Sequence, residues 1–157
     1  MQNARVVQIF IAPKAGEPMR EVKEVQMIAG VGLEGDRYAL DLGAFSKAKR
    51  KAIRHVTLIS LDGINQANAE LTAPFLVAET RRNIVLDGIS AEELNNFVGK
   101  EFGIGDARVR GVELCDPCKR PSALSGTSGF EIAFKNRGGL RIEIISSGKI
   151  KVGDILS

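Results

Sequence analysis

The chain has 157 residues, of which 44% are hydrophobic and 26% charged, proportions typical of one ordinary globular domain. No run approaches the ~20 apolar residues that cross a bilayer, so we do not expect a membrane protein. The formal net charge of +3 is modest for a nucleic-acid-binding protein, but it fits a pocket for a small anionic ligand.

Short strands separated by turn residues are predicted for the first half of the chain. The apolar runs that predict strands lie at residues 5–12, 22–28, 56–59 and 84–86. The alternation of polar and apolar residues is imperfect in the second of these runs. Ser60 follows the third run and precedes apolar residues at helical spacing, so it is predicted to cap a helix that Pro74 ends.

The second half of the chain is predicted to be mostly β from Glu101 onward. Before that point, the Ser90-Ala91-Glu92-Glu93 capping box predicts one short helix. Residues 107–114 and the alternating residues 140–144 predict two further strands. The fold class expected is mainly β, a barrel or sandwich with a few short helices, and residues 1–157 are expected to form a single domain.

Both cysteines of the chain lie in one segment, Cys-Asp-Pro-Cys-Lys-Arg-Pro at residues 115–121. The adjacent cations favour the thiolate, which is the form of cysteine that attacks electrophiles and binds soft metals. Two prolines in five residues predict a rigid, irregular loop here instead of a regular helix. The sequence therefore predicts that sulfur is presented from a positively charged turn.

The cysteine pattern alone leaves four interpretations open. Cys115 and Cys118 fit a redox dithiol, half of a zinc site, a single functional thiolate, or two small apolar side chains in a packed loop. A zinc site needs two more ligands, and His55 is the single histidine of the chain. A thioredoxin-like dithiol lies at a helix N-terminus, which Pro121 disfavours. His55 itself is expected to be structural or exposed.

Scattered arginines and lysines suit the recognition of phosphate or carboxylate groups. Several of them are predicted to lie at strand ends or in loops, namely Arg37, Arg81, Arg82, Lys119, Arg120 and Arg141. A denser basic cluster comprises Lys47, Lys49, Arg50, Lys51 and Arg54. We interpret this cluster as a solvated surface and do not expect a nucleic-acid partner.

Seven segments of the chain together carry a family pattern. They are the glycine–aspartate run at residues 32–37, the strand at 56–59, Arg81-Arg82-Asn83-Ile84, the turn at 99–106, the cysteine segment at 115–118, and the closing strands at 138–141 and 148–154. In this order and spacing they resemble the MOSC domain, named for the C-terminal domain of molybdenum cofactor sulfurase. The resemblance covers nearly the whole chain.

The resemblance implies a β-barrel-rich fold and a role around the molybdenum cofactor (molybdopterin). Family members include reductases of N-hydroxylated compounds, in which a cysteine ligates molybdenum. By its position after a proline, Cys118 is implied to be the metal ligand and catalytic residue, with Cys115 as a second catalytic candidate. The residues implied to bind the cofactor are Gly35, Asp36, Arg37, Arg81, Asn83, Lys119 and Arg141.

The chain departs from the family pattern at two positions. Tyr38 stands where histidine or another polar residue is frequent, and Arg82 stands where an acidic residue is frequent. Arg82 adds positive charge, which favours an anionic ligand. We also expect a stand-alone domain, without the pyridoxal-phosphate desulfurase domain or the N-terminal β-barrel domain of larger relatives.

Three functional classes follow from the resemblance and the residues. The first is a molybdenum-dependent oxidoreductase or a component of one, with an anionic cofactor and a redox partner protein. The second is a sulfur carrier that receives a persulfide from a sulfur-donor protein. The third is a non-catalytic cofactor-binding module. The chain shows no secretory signal and is expected in the reducing cytoplasm, where thiols stay free.

Overall fold

Ten strands and four short α-helices build the part of the chain that the computed structural model describes, residues 3–46 and 53–157. The strands are β1 Arg5–Ile11, β2 Arg20–Val22, β3 Glu24–Ile28, β4 Gly32–Leu33, β5 Val56–Ser60, β6 Ile84–Asp87, β7 Glu101–Ile104, β8 Ala107–Leu114, β9 Leu140–Ser146 and β10 Gly148–Lys151. The helices are α1 Leu61–Ala69, α2 Ala91–Asn95, α3 Arg120–Ser125 and α4 Phe130–Ala133, with a 3₁₀ turn at Val77–Thr80. A mainly β fold with a few short helices is thereby confirmed.

The strands form two sheets. Seven of them lie in the order β2-β1-β6-β5-β9-β8-β7, and three lie in the order β10-β3-β4. Within the large sheet β5 and β6 run parallel, with Leu58 opposite Ile84, and the other described neighbours are antiparallel. Over the described residues each sheet has two open edges, so closure into a barrel is not confirmed.

Apolar side chains cover both faces of the large sheet. In β1, Ile9 belongs to the cluster that packs against the small sheet, together with Met27 of β3. The next residue, Phe10, belongs to a second cluster with Ile64 of α1 and Phe130 of α4. This division follows the period-two alternation of side chains along a strand. The large sheet therefore lies between the small sheet on one face and helices α1 and α4 on the other, while Leu94 of α2 packs in the cluster of the small sheet.

The single strand predicted for residues 22–28 is wrong, because the chain changes sheets within it. β2 ends at Val22 and pairs with β1, with Val22 opposite Ile9. β3 begins at Glu24 and pairs with β10 and β4 in the small sheet. The two halves of the run bury their side chains against different neighbours, which explains why the alternation is imperfect.

Both predicted serine caps are confirmed. The Ser60 hydroxyl accepts a hydrogen bond from the Gly63 N–H at 3.1 Å, at the start of α1. The Ser90 hydroxyl accepts from the Glu93 N–H at 3.0 Å, and the Glu93 carboxylate accepts from the Ser90 N–H at 3.3 Å. Each cap satisfies a backbone donor that the first helical turn leaves without a partner.

Two helices, α3 and α4, lie in the half of the chain that was predicted to be β. The irregular loop predicted for residues 115–121 is confirmed at both cysteines but wrong at its end, since α3 begins at Arg120 with Pro121 in its first turn. Proline suits that position because its missing N–H has no intrahelical partner there and its φ is already helical. None of the helices in the described part of the chain is long and apolar enough to cross a membrane.

His55 links two strands of the large sheet. Its Nδ1 atom accepts a hydrogen bond from the backbone N–H of Ile144 at 3.0 Å. Burial lowers the pKa of His55 from 6.5, against the opposing effect of the nearby Glu143 carboxylate. An imidazole that accepts at Nδ1 and is partly desolvated is stabilised in its neutral form.

This arrangement predicts a pH-dependent contribution to stability. Because the pKa of His55 is lower in the folded chain than the unfolded value of 6.5, protonation favours the unfolded state. The contribution is fully present above the unfolded pKa and is lost as the pH falls through the folded pKa. Denaturant unfolding should show that the free energy of unfolding falls more between about pH 7.5 and about pH 5.5 in the wild type than in His55→Asn. Asparagine offers an acceptor that does not titrate, and an equal loss in both proteins would contradict this role.

Candidate functional site

The ends of several strands of the large sheet surround one cavity of about 280 Å³. β5 and β6 run parallel and start side by side. β1 ends beside the start of β6, and β8 ends beside the start of β9, which pairs with β5. Loop residues that precede or follow these strands therefore converge. The volume is close to the lower end of the ~300–1,000 Å³ typical of ligand sites.

Positive charge dominates the lining of this cavity, which we call the arginine cavity. It is lined by five arginines, namely Arg37, Arg54, Arg81, Arg82 and Arg141. Two carboxylates, Glu113 and Asp116, and both cysteines also line it. Six of the residues implied by the family resemblance are thus brought together: Cys115, Cys118, Arg37, Arg81, Asn83 and Arg141.

Asp36 fixes the loop that carries Arg37. Its carboxylate is fully buried and forms an ion pair with Arg37 at 3.0 Å. It also accepts hydrogen bonds from the backbone N–H groups of Ala12 at 3.1 Å and Tyr38 at 3.3 Å. Gly35, with a φ of +82°, supplies the left-handed backbone that glycine adopts most easily. Gly35 and Asp36 are not among the residues that line the cavity, so their contribution is to position Arg37.

Asn83 lines the cavity, but its amide group is engaged with neighbouring strands. The side-chain N–H donates to the carbonyl of Phe10 at 3.0 Å. The side-chain oxygen accepts from the backbone N–H and the hydroxyl of Thr57, at 3.1 and 3.2 Å. Asn83 therefore joins the end of β1 to the start of β5.

Arg81 is a second cation that the fold holds in place at the site. Its backbone is left-handed, with a φ of 62°, and its Nη1 donates to the Glu17 carbonyl at 2.8 Å. Its Nη2 is buried without a hydrogen-bond partner among the described residues. Burial, and then repulsion from Arg37 and Arg120, lowers the pKa of Arg81 to about 10. The guanidinium still carries its charge at neutral pH.

Arg54 is a lining residue that sequence reasoning did not assign to the site. Its guanidinium lies 4.7 Å from the ring centroid of Phe45, and its Nε is buried without a partner among the described residues. Its position in the sequence could have indicated this role, because Arg54 lies just before β5 as Arg81 lies just before β6. The rest of the basic cluster, residues 47–52, lies outside the described residues, so the nucleic-acid interpretation of that cluster stays untested.

The remaining two arginines of the cavity have partners within the fold. Arg82 Nε donates to the Gly138 carbonyl at 2.6 Å, and its Nη1 donates to the Thr80 carbonyl at 3.3 Å. Arg141 forms an ion pair with Glu113, the residue opposite it on β8. Donors without partners are therefore found on Arg54 and Arg81, among the five arginines.

The two cysteines differ in exposure. Cys115 is 5% exposed, and its backbone N–H donates to the Gly139 carbonyl at 2.8 Å. Cys118 is half-buried, just before α3. Lys119 is exposed and is not among the lining residues of the cavity. Over the described ranges, no three His, Cys, Asp or Glu side chains cluster as metal ligands would.

Comparison with known proteins identifies relatives of this fold. The family model of the MOSC domain matches residues 45–157. Among solved structures, the YuaD protein from Bacillus subtilis has a TM-score of 0.80 at 16% identity, covering 98% of this chain and 93% of that one. YiiM from Geobacillus stearothermophilus has a TM-score of 0.70 at 15% identity, covering 98% of this chain and 73% of that one.

YiiM from Escherichia coli also has a TM-score of 0.70, at 18% identity, and covers 98% of this chain and 68% of that one. At these identities the likeness to solved structures establishes the fold alone. No curated protein matches the chain in sequence.

The close contact behind the cysteine loop yields a testable prediction. A Cβ added to Gly138 would lie 2.1 Å from the Cys115 carbonyl oxygen, so Gly138→Ala must displace the loop. We expect a loss of about 2 kcal/mol in unfolding free energy and faster labelling of Cys118 by a thiol reagent.

Gly99→Ala is the matched control. Gly99 has a φ of +80° and open space around it, so the cost is backbone strain of about 1 kcal/mol without a change at Cys118. Unchanged stability and unchanged Cys118 labelling in Gly138→Ala would show that this contact does not position the loop.

Proposed function

The chain belongs to the MOSC domain family, and we propose that it binds the molybdenum cofactor and acts as an oxidoreductase, or a component of one, on N-hydroxylated compounds. The observation that supports this proposal is the arginine cavity, where unpartnered guanidinium N–H groups and a half-buried thiol line the same space. The proposed ligand is anionic and contains a metal that binds thiolate, so it matches both features.

The unpartnered donors fit the phosphate end of the cofactor. A buried N–H without an acceptor costs about 1–3 kcal/mol, which an oxyanion in hydrogen-bond reach would recover. The guanidinium groups of Arg54 and Arg81 would supply charge-assisted hydrogen bonds to phosphate oxygens. Arg37 and Arg82 would add positive potential, although their own hydrogen bonds are directed to neighbours in the fold.

Cys118 is the proposed metal ligand, because it is the more exposed of the two cavity thiols. Cys115, which is 5% exposed, would support the loop from behind. When bound, the cofactor supplies two-electron oxygen-atom chemistry, while the protein supplies binding and orientation. Reduction of an N–OH group to N–H takes up two electrons and two protons and releases water, so a redox partner protein must provide the electrons.

Two carboxylates, Glu113 and Asp116, line the acidic side of the cavity. Asp116 is exposed and, among the described residues, has no ion-pair partner within 4.0 Å. Glu113, in contrast, is held by Arg141. We assign Asp116 the role of an exposed hydrogen-bond acceptor that orients water at the mouth of the cavity.

A sulfur-carrier function is the second proposal, favoured by the presence of two thiols on one cavity. The Cys118 thiolate would attack the outer sulfur of a donor persulfide, forming Cys118–S–SH and releasing the donor thiolate. The surrounding arginines would stabilise the anionic persulfide until it is transferred. A non-catalytic cofactor-binding module is the third class, in which the same contacts hold the cofactor without turnover.

Substitution of the thiol tests the leading proposal. Cys118→Ser, purified from a host that makes the cofactor, should lose at least about tenfold in molybdenum content and reductase activity, because a hydroxyl is a poorer ligand than a thiolate. Cys115→Ser is the control and should keep most of its molybdenum. Metal analysis and pterin fluorescence measure the result, and full molybdenum content and activity in Cys118→Ser would reject the assignment.

Pterin without reductase activity in the wild type would favour the non-catalytic module.

Intact mass distinguishes the sulfur carrier. After incubation with a cysteine desulfurase and free cysteine, the wild type should gain the mass of one sulfur atom, and Cys118→Ser should gain none. An unmodified wild type would count against this function.

A further inference from the structure

A second and more apolar cavity adjoins the arginine cavity. Its volume is about 230 Å³, and we call it the apolar cavity. Its lining residues are Gly16, Pro18, Met19, Ala78, Glu79, Arg81, Leu124 and Ser125. Arg81 lines both cavities, so its side chain lies at the boundary between the arginine cavity and the apolar cavity.

The two cavities are tied together by hydrogen bonds and by one helix. The Met19 sulfur accepts from Arg37 Nη1 at 3.4 Å, and Arg81 Nη1 donates to the Glu17 carbonyl. Helix α3 starts just beyond Cys118 and carries Leu124 to the apolar cavity. A ligand that spans the two cavities would therefore lie along α3.

We propose that the apolar cavity binds the aryl or alkyl part of an amphipathic ligand whose anionic or polar head is held by Arg81. In the context of the proposed function, on which this interpretation rests, the ligand is the substrate. An apolar cavity of about 150 Å³ holds benzene, so the present one accommodates a substituted ring. The unpartnered Nη2 of Arg81 carries two N–H groups, so one can donate to the head group while the other donates to the cofactor phosphate.

Glu79 is the one carboxylate among the residues that line the apolar cavity, and it is engaged by the backbone. Its carboxylate accepts a hydrogen bond from the Leu76 N–H at 2.7 Å, within the 3₁₀ turn. Leu124, an apolar residue on the rim, is 45% exposed. A ligand ring would shield this side chain from water, which is the source of the expected gain in affinity.

Three ligands test the proposal on protein that carries no cofactor. Phenyl phosphate has both the ring and the charge, inorganic phosphate lacks the ring, and phenol lacks the charge. Isothermal titration should show phenyl phosphate binding at least about tenfold more tightly than either of the others. In Leu124→Gln, the preference for phenyl phosphate over inorganic phosphate should fall about fivefold, with inorganic phosphate binding unchanged.

Ile132→Gln is the matched control, because Ile132 is 86% exposed on α4 and lines neither cavity. It should keep the wild-type preference. Equal affinities of phenyl phosphate and inorganic phosphate in the wild type, or an unchanged preference in Leu124→Gln, would overturn the proposal.

Methionine methyl resonances locate the ring independently of affinity. The chain has three methionines. Met19 lines the apolar cavity, whereas Met27 is fully buried in the main core. Phenyl phosphate should shift the Met19 signal, assigned with Met19→Leu, and leave the Met27 signal in place. A saturating titration without a Met19 shift would contradict the assignment. The experiment needs no molybdenum, so its failure would not affect the proposal that Cys118 binds the metal. If Cys118 proves not to bind molybdenum, the apolar cavity can still be tested with phenyl phosphate.

Discussion

The accumulation of like charge in one partly buried cavity is the constraint on which the site depends. Burial and the neighbouring Arg37 and Arg120 lower the pKa of Arg81 to about 10, which records the cost of keeping this group charged. The fold offsets part of the cost with the Asp36–Arg37 and Glu113–Arg141 ion pairs. Two guanidinium nitrogens, Arg54 Nε and Arg81 Nη2, are left without acceptors among the described residues. An anionic ligand would complete this balance, which is why we propose one for this cavity.

Local sequence patterns predicted most strands and both serine caps because these features depend on neighbouring residues. The change of sheet at Lys23 could not be predicted, since it depends on which strand each half of the run pairs with. The helix at Pro121 was missed because proline excludes the interior of a helix but suits its first turn, and sequence alone did not distinguish the two. Closure of the sheets into a barrel remains a prediction.

The family resemblance predicted more of the residues at the site than composition did. It did not distinguish residues that would contact a ligand from residues that hold those residues in place. Asp36 and Asn83 were implied to bind the cofactor, and the structure engages their side chains in holding Arg37 and two strand ends. Arg54 was overlooked because its approach to Arg81 arises from the parallel pairing of β5 and β6. That pairing joins residues far apart in the chain. The roles proposed for Cys118 and Arg81 remain predictions.

Thermal unfolding with and without inorganic phosphate tests the central claim that the arginine cavity binds an oxyanion. A ligand that binds the folded state alone raises the unfolding temperature. We predict a rise for the wild type and for Arg110→Gln, whose exposed arginine pairs with Glu143 away from the cavity. We predict no rise for a protein that combines Arg54→Gln with Arg81→Gln. An equal rise in all three proteins would contradict the account.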